Sequence, residues 1–313
     1  MNNYKIEDVG NKRILIIGDK KYETIYSKKI IELIIARKGL SRAPEYLLHK
    51  EKRSYFFLPL FNYLNSKGLK NLKLLEIGCS AGQSTEFFNE QSCIDEVYTF
   101  DIDKQFVEIV KTKAQELGLQ KVKSIDCFSM RETLNLPYPD DYFDLVIVPA
   151  VLEHLPIENR HMYVDEYYRK LKTGGVICFL DTPNRNYLLE SHSIGLPFIS
   201  KLGVQTAYIY AKLFGKIRNV DFPEFVRAGT GWRNATYYEC LPKTLAADIN
   251  DISEEVGYGY KFFNGISRSL KFKIFIKPFF RLLRFFSTLL KFPISFFLPN
   301  LNVIFKKISS YEK

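Results

Sequence analysis

The chain has 313 residues, 46% of them hydrophobic and 26% charged, which suits about two average globular domains and excludes disorder, collagen-like and coiled-coil architectures for the bulk of it. Its formal net charge of +10 is local: Val256–Lys313 carries eleven Lys or Arg against one acid, Glu312, together with twelve of the 26 phenylalanines, and the first 255 residues are balanced. Five scattered cysteines without a CxxC pair, and four histidines without HExxH or HxH spacing, argue against a zinc ribbon, a thioredoxin-type site and a disulfide scaffold. Charges run through the first thirty residues, so no signal peptide and a cytoplasmic protein are expected.

Along the chain, Arg13–Tyr26 reads as a hairpin around Gly18-Asp19, followed by helices over Lys28–Ala36 and Ser54–Leu64. A regular alternation begins at Leu72. Leu72–Ile77 is an apolar strand ending in Gly78-Cys79-Ser80-Ala81-Gly82, with a helix from Gln83. Glu96–Phe100 is the next strand. Lys104–Leu117 is a helix with Phe106, Val107, Ile109, Val110, Ala114 and Leu117 on one face. Val122–Ile125 and Phe143–Ala150 are strands, Pro156–Leu171 a helix stopped by Gly174-Gly175, and Val176–Leu180 a fifth strand. Alternating strands and helices specify a doubly wound α/β sheet. Asn184–Glu255, rich in Tyr, Pro and Gly, interrupts the rhythm as an insertion on the acceptor side of the sheet, and Leu301–Phe305 returns as a last strand. The expected divisions are therefore 1–70, 71–183, 184–255 and 256–313.

Open α/β sheets bind ligands beyond the carboxyl ends of their strands. After the first strand, a carboxylate, Glu76, precedes Gly78, Ser80 and Gly82. A carboxylate there repels a dinucleotide pyrophosphate and suits a ligand carrying an ammonium or sulfonium charge, favouring S-adenosylmethionine over NAD. After the second strand, Asp101 is placed for ribose hydroxyls and Ile102 for the adenine face, and Asp103 is placed as the N-cap of the next helix. After the fourth strand come Glu153 and His154, and after the fifth Asp181.

Leu75-Glu-Ile-Gly-Cys-Ser-Ala-Gly82, the acid of Tyr98-Thr-Phe-Asp101, Leu136-Pro-Tyr-Pro-Asp140, Phe143-Asp-Leu-Val146, Val151-Leu-Glu-His-Leu-Pro156 and Leu171-Lys-Thr-Gly-Gly175 resemble, in order, the signature of class I S-adenosylmethionine-dependent methyltransferases, with the quinone-biosynthesis subgroup most similar. The resemblance implies a Rossmann-like sheet of seven strands with a reversed last hairpin, S-adenosyl-L-methionine as cofactor and methyl transfer from its sulfonium. Ser80 stands where the family has a middle glycine. Glu132 stands where many relatives carry an acid near the adenine amine. Ala150 replaces the first acid of a Glu-x-x-Glu-His metal site found in some quinone O-methyltransferases, so no metal is expected. His192-Ser-Ile-Gly-Leu-Pro197 and Gly231–Glu239 more weakly resemble segments of bacterial methyltransferases of surface-glycan and lipid-linked sugar pathways.

A hydroxyl acceptor benefits from a general base, and His154 is placed for that role or for shaping the loop into the following helix. Glu153 contacts the acceptor or orients the same loop. His192 and Asp181 are weaker acceptor-side candidates, and His49 and His161 read as surface residues. Trp232 stacks on an acceptor or belongs to the core. In the C-terminal segment Lys273, Lys277, Arg281, Arg284 and Lys291 fall on one helical face, with Phe and Leu filling the rest. That pattern fits a helix lying in an anionic membrane interface, a helix buried on the sheet, or, less well, a nucleic-acid surface. The expected function is O-methylation of a small, glycan or lipid-linked acceptor by a cytoplasmic, peripheral membrane enzyme. An RNA methyltransferase and a non-catalytic membrane-binding module that keeps the fold are the alternatives.

Overall fold

The computed structural model describes residues 4–48, 50–190, 193–218, 220–228, 231–258, 281–289 and 293–310. They form two compact units, Met1–Thr133 and Leu134–Lys313.

The first unit opens with an antiparallel meander, β1 (Tyr4–Val9), β2 (Lys12–Ile17) and β3 (Lys20–Thr24). β2 and β3 are the expected hairpin, turned at Gly18 with φ 56°. β1, absent from the sequence reading, pairs with β2 from Tyr4↔Ile17 to Val9↔Lys12. Helices α1 (Lys28–Lys38), α2 (Ala43–Leu48) and α3 (Lys50–Ser66) follow. Ser27 caps α1 by accepting the Ile30 N–H. Then come β4 (Leu72–Ile77), α4 (Gln83–Asn89), β5 (Ile94–Asp101), α5 (Lys104–Leu117) and β6 (Val122–Cys127), with the three strands parallel in the order β6-β5-β4.

The N-terminal elements pack on the α/β part of this unit. Leu15, Tyr26, Ile30, Ile31, Ile34 and Tyr46 share one core with Ala81 of the glycine turn and Phe106 and Ile109 of α5. α3 lays Phe57 and Phe61 against Phe87 and Phe88 of α4, with ring centroids 4.8–5.8 Å apart. Every residue of α4 from Gln83 to Phe88 is buried in consequence. Within this packing lies an ion pair: Lys113 Nζ donates to Glu86 Oε1 at 2.7 Å, with the two side chains 0% and 2% exposed. Tyr26 OH donates to the same carboxylate at 2.8 Å, and the Lys113 ammonium sits 3.9 Å from the Tyr26 ring centre. These contacts join the residues after β3 to both helices. Burial, helped by the Glu86 charge, pushes the Tyr26 phenol far above its ordinary range.

The second unit contains β7 (Phe143–Pro149), α6 (Arg160–Lys170), β8 (Leu171–Pro183), α7 (Val204–Leu213), α8 (Phe222–Ala228), β9 (Ala247–Asp251), α9 (Ser253–Val256) and β10 (Asn300–Ser310). Its strands run in the order β7-β8-β10-β9, with β7 parallel to β8 and the other neighbours antiparallel. The two units thus supply three and four strands of a mixed, Rossmann-like α/β fold, and β10 is the reversed strand expected over Leu301–Phe305.

Two expected boundaries shift. The helix over Pro156–Leu171 starts only at Arg160, after a 3-10 turn at Ile157–Asn159, and β8 begins immediately at Leu171, so Gly174-Gly175 lie inside a strand. β9 lies within the segment read as insertion; its sequence, Ala-Asp-Ile-Asn-Asp, lacks an apolar run because it is the edge strand, paired with β10 alone. The remainder of that segment carries a small core of its own, in which Leu196, Ile199, Ala207, Ala211, Ile217, Phe225 and Trp232 meet.

Candidate functional site

In the first unit, β4 ends in a turn with three left-handed residues: Gly78 (φ 80°), Ser80 (φ 46°) and Gly82 (φ 81°). The N–H groups of Gly78 and Cys79 both donate to the Phe100 carbonyl at 3.0 Å, which ties the turn to β5. A Cβ on Gly82 would lie 3.0 Å from Val110 Cγ2, so this glycine permits close packing of α4 against α5 as well as the turn itself. Glu76 is fully buried, and its carboxylate accepts hydrogen bonds from the hydroxyls of Ser84, of Thr85 at 2.6 Å and of Thr99 at 2.9 Å. It therefore fastens the start of α4 and β5 to β4.

Asp101 closes β5. Its Oδ2 accepts the Ser80 N–H at 2.9 Å and its Oδ1 the Asp103 N–H at 3.0 Å. Burial pushes this carboxyl above its ordinary value, and those N–H groups pull the other way. Ile102, next along the chain, is 50% exposed, an aliphatic side chain left uncovered beside a carboxylate. Asp103 caps α5, accepting the Gln105 N–H at 2.8 Å, and pairs with Arg37. Glu132 is exposed and turned onto its own 3-10 turn, accepting the Ser129 N–H at 2.6 Å; these bonds hold its carboxyl below its usual value.

In the second unit, β7 is followed by Ala150, which has φ 51° and donates its N–H to the Leu180 carbonyl at 2.8 Å. The 3-10 turn Leu152–His154 follows and packs against the turn Gly231–Arg233. Glu153 is wholly buried, whereas the His154 side chain is 53% exposed, with Nε2 at 3.9 Å from Glu153 Oε1. The sequence reading brought these two together, and the structure holds them adjacent at the strand end.

Arg160 was not singled out in the sequence. Its side chain is 1% exposed; Nη2 donates to the Leu155 carbonyl at 3.0 Å, and Nη1 to the Asn234 carbonyl at 3.0 Å and to Glu239 Oε1 at 3.1 Å. Arg185 Nη2 reaches the same two acceptors at 3.0 and 3.2 Å. Burial lowers the Arg160 pKa from its ordinary value, against the pull of Glu239. The two arginines thereby bind the loop after His154 to Gly231–Glu239. Arg160, His161, Tyr238, Glu239 and Lys243 line a cleft of about 460 Å³, and His161 is half-buried there, where the sequence suggested a surface residue. The signal for Arg160 was slight: an arginine following Glu-His-Leu-Pro at the start of a helix.

The remaining candidates are placed as follows. Trp232 is 3% exposed and stacks on Phe225 with ring centres 5.0 Å apart, which makes it core. Asp181 has φ 55° and accepts from Asn300 Nδ2 at 2.9 Å, facing β10. His49 and His192 lie outside the described residues, as do Lys273, Lys277 and Lys291. Over residues 281–289 the chain is helical, and Arg281 and Arg284 are exposed together with Leu282, Phe285, Phe286 and Leu289. Burial on the sheet thus does not describe this stretch. Among the described residues no helix is long and apolar enough to cross a membrane.

A glycine turn with left-handed backbone, an acid at the next strand end and an uncovered aliphatic residue beside it are features that Rossmann-like folds use where they bind a nucleoside. A family described as methyltransferase domain matches residues 75–179. The demethylmenaquinone methyltransferase of Geobacillus sp. (strain WCH70) is 31% identical over 187 residues, 58% of this chain and 76% of that protein. Norajmaline N-methyltransferase of Rauvolfia serpentina is 26% identical over 133 residues, 42% of this chain and 44% of that protein. The solved structure of the YcgJ protein from Bacillus subtilis is 25% identical, with a TM-score of 0.35 over 41% of this chain and 51% of that one. Matches to the first three curated relatives span 42%, 76% and 44% of their lengths. The chain belongs to the class I S-adenosylmethionine-dependent methyltransferases, and that membership implies S-adenosylmethionine as its cofactor.

The residues at the first unit's strand ends fit that cofactor. The Asp101 carboxylate has the chemistry to accept ribose hydroxyls, and the exposed Ile102 offers an apolar surface that a flat base could cover. A pH dependence follows. Because the fold raises the Asp101 pKa, ionising it costs the fold stability as pH rises past the ordinary aspartate value. Conversely, the carboxylate acceptor is lost to protonation at a higher pH than for an exposed aspartate. Calorimetry should show S-adenosylmethionine affinity falling on an acid limb above the usual aspartate range. Asp101→Asn should bind about 10- to 100-fold more weakly, as expected for losing hydrogen bonds to a charged group, and without that limb. An unchanged affinity in Asp101→Asn would remove Asp101 from the site.

Proposed function

We propose that the chain is an O-methyltransferase that modifies a small, glycan or lipid-linked acceptor at an anionic membrane face. The half-exposed His154 past the end of β7 carries the oxygen-acceptor reading: an imidazole stands 3.9 Å from the buried Glu153 carboxylate, an arrangement suited to a general base. In this reading Glu76, Gly78, Ser80 and Gly82 shape the cofactor turn, Asp101 holds the ribose, Ile102 covers the adenine and Glu132 lies toward the adenine amine. When bound, S-adenosylmethionine supplies a methyl group activated by the sulfonium charge. His154 would take the proton of the acceptor hydroxyl that receives the methyl group, and Glu153 would stabilise the resulting imidazolium. Arg160 keeps the His154 loop in register by holding the Leu155 carbonyl. Methyl transfer needs alignment above all, and fixed geometry of this kind contributes several kcal/mol.

The membrane part rests on the C-terminal segment, where Arg281 and Arg284 stand exposed beside uncovered Leu282, Phe285, Phe286 and Leu289. Lys273, Lys277 and Lys291 extend the same basic face by sequence. The demethylmenaquinone and norajmaline relatives support a small-molecule acceptor class and differ in the acceptor itself. The test is incubation with methyl-labelled S-adenosylmethionine and either a lipid extract or a water-soluble extract of bacterial cells. Label should enter a base-stable ether linkage, in the organic phase for a lipid-linked acceptor, and be lost with His154→Ala. Label on nitrogen or carbon would overturn the oxygen-acceptor assignment, and label confined to water-soluble products would remove its lipid-linked part.

A further inference from the structure

We propose that the carboxyl end of α7 is a second contact with an anionic lipid surface, separate from the C-terminal segment and independent of the methyl-transfer reading. α7 is apolar on two sides. Ala207 and Ala211, four residues apart, face inward to Phe225 and Trp232. On the outer side, Ile209 is 59%, Leu213 78% and Phe214 62% exposed, and α8 adds Phe222 and Val226 at 36% and 48%. Large side chains this bare, close together at a helix end, mark a surface that meets something apolar.

Charge identifies the occupant. Between Glu190 and Asp221 the chain has no acid, and it carries Lys201, Lys212, Lys216 and Arg218. The last three flank Leu213-Phe214 and are exposed; Lys212 lies along the Tyr208 ring, with Nζ 5.2 Å from its centre. A second copy meeting this surface across a two-fold axis would bring Lys212, Lys216 and Arg218 against their own equivalents. The chain's own segment 259–280 has five cations and no acid in its sequence, so its charge does not complement this surface. A surface that is negative outside and apolar beneath matches both features: lysine and arginine meet the headgroups while Leu213 and Phe214 enter the acyl boundary.

The experiment is co-sedimentation of the full chain with vesicles of phosphatidylcholine alone or mixed with phosphatidylglycerol. The variants are Leu213→Ser/Phe214→Ser, Lys212→Glu/Lys216→Glu and, for the other segment, Lys277→Glu/Arg281→Glu/Arg284→Glu. The substituted α7 side chains are exposed, so far-UV circular dichroism should be unchanged. Each α7 variant should lower partition onto phosphatidylglycerol vesicles about tenfold or more, and should lower it further in the C-terminal triple variant. Wild-type binding by either α7 variant would overturn the proposal. So would equal wild-type binding to both vesicle types, or a loss of self-association in the α7 variants with vesicle binding retained. Loss confined to the C-terminal triple variant would overturn the α7 contact and leave that segment's membrane role standing, and the converse would reverse the two.

Discussion

Replacing Lys113 by Met should destabilise the first unit by about 3–5 kcal/mol, the usual cost of stranding one partner of a buried ion pair. Lys113 and Glu86 are 0% and 2% exposed, so no water takes over the lost partner. The Glu86 carboxylate would keep the Tyr26 hydroxyl at 2.8 Å, a neutral donor that stabilises a charge less than an ammonium does. Urea unfolding of the variant should show the loss as a lower midpoint at unchanged slope. The double variant Lys113→Met/Glu86→Gln should recover part of it, because neutral Gln still accepts from Tyr26 and leaves no unpaired charge. If the two single effects simply add, Lys113 and Glu86 are not coupled in the way the geometry requires.

His154→Ala should lower turnover about 100- to 10,000-fold while leaving S-adenosylmethionine affinity within error, as expected for loss of a general base. The side chain is 53% exposed, so its removal leaves no core cavity, and a fall in turnover would report chemistry rather than folding. Glu153→Gln should give a smaller loss. That change keeps the buried shape but removes the negative charge that would stabilise the imidazolium formed when His154 takes a proton. A His154→Ala variant that retains full rate on the acceptor would leave His154 as a residue that shapes the loop between β7 and α6. A rate lost together with cofactor affinity would point instead to collapse of the strand end.

Local signals made the cofactor half readable. An apolar run into Gly78-Cys79-Ser80-Ala81-Gly82 specifies a strand, a turn and a helix within a dozen residues, because glycine at φ near 80° needs no distant support. Asp103 as the N-cap of α5 was equally local, since the bond it accepts comes from two residues away. The wide Phe-rich basic face of the last segment was visible in composition, but whether it was covered was not; Leu282 and Phe285 standing exposed answers that for 281–289.

Other features depended on residues far apart in the chain. Lys113 on α5 would pass for a solvated helix face, and it is buried because Glu86, 27 residues away, and Tyr26, 60 residues from Glu86, close around it. Arg160 looks like an ordinary first-turn charge until Asn234 and Glu239 come to it from more than seventy residues on. Trp232 was open in sequence to acceptor stacking or to the core, and Phe225 stacked on its ring decides for the core. The sequence by itself determined the strand–turn–helix order, the glycine turn and the acids at the strand ends, because backbone conformation and short hydrogen bonds are set by near neighbours. Only the tertiary structure decided which charges are buried and paired and which aromatic rings are open, because desolvation depends on what the rest of the chain places around a side chain.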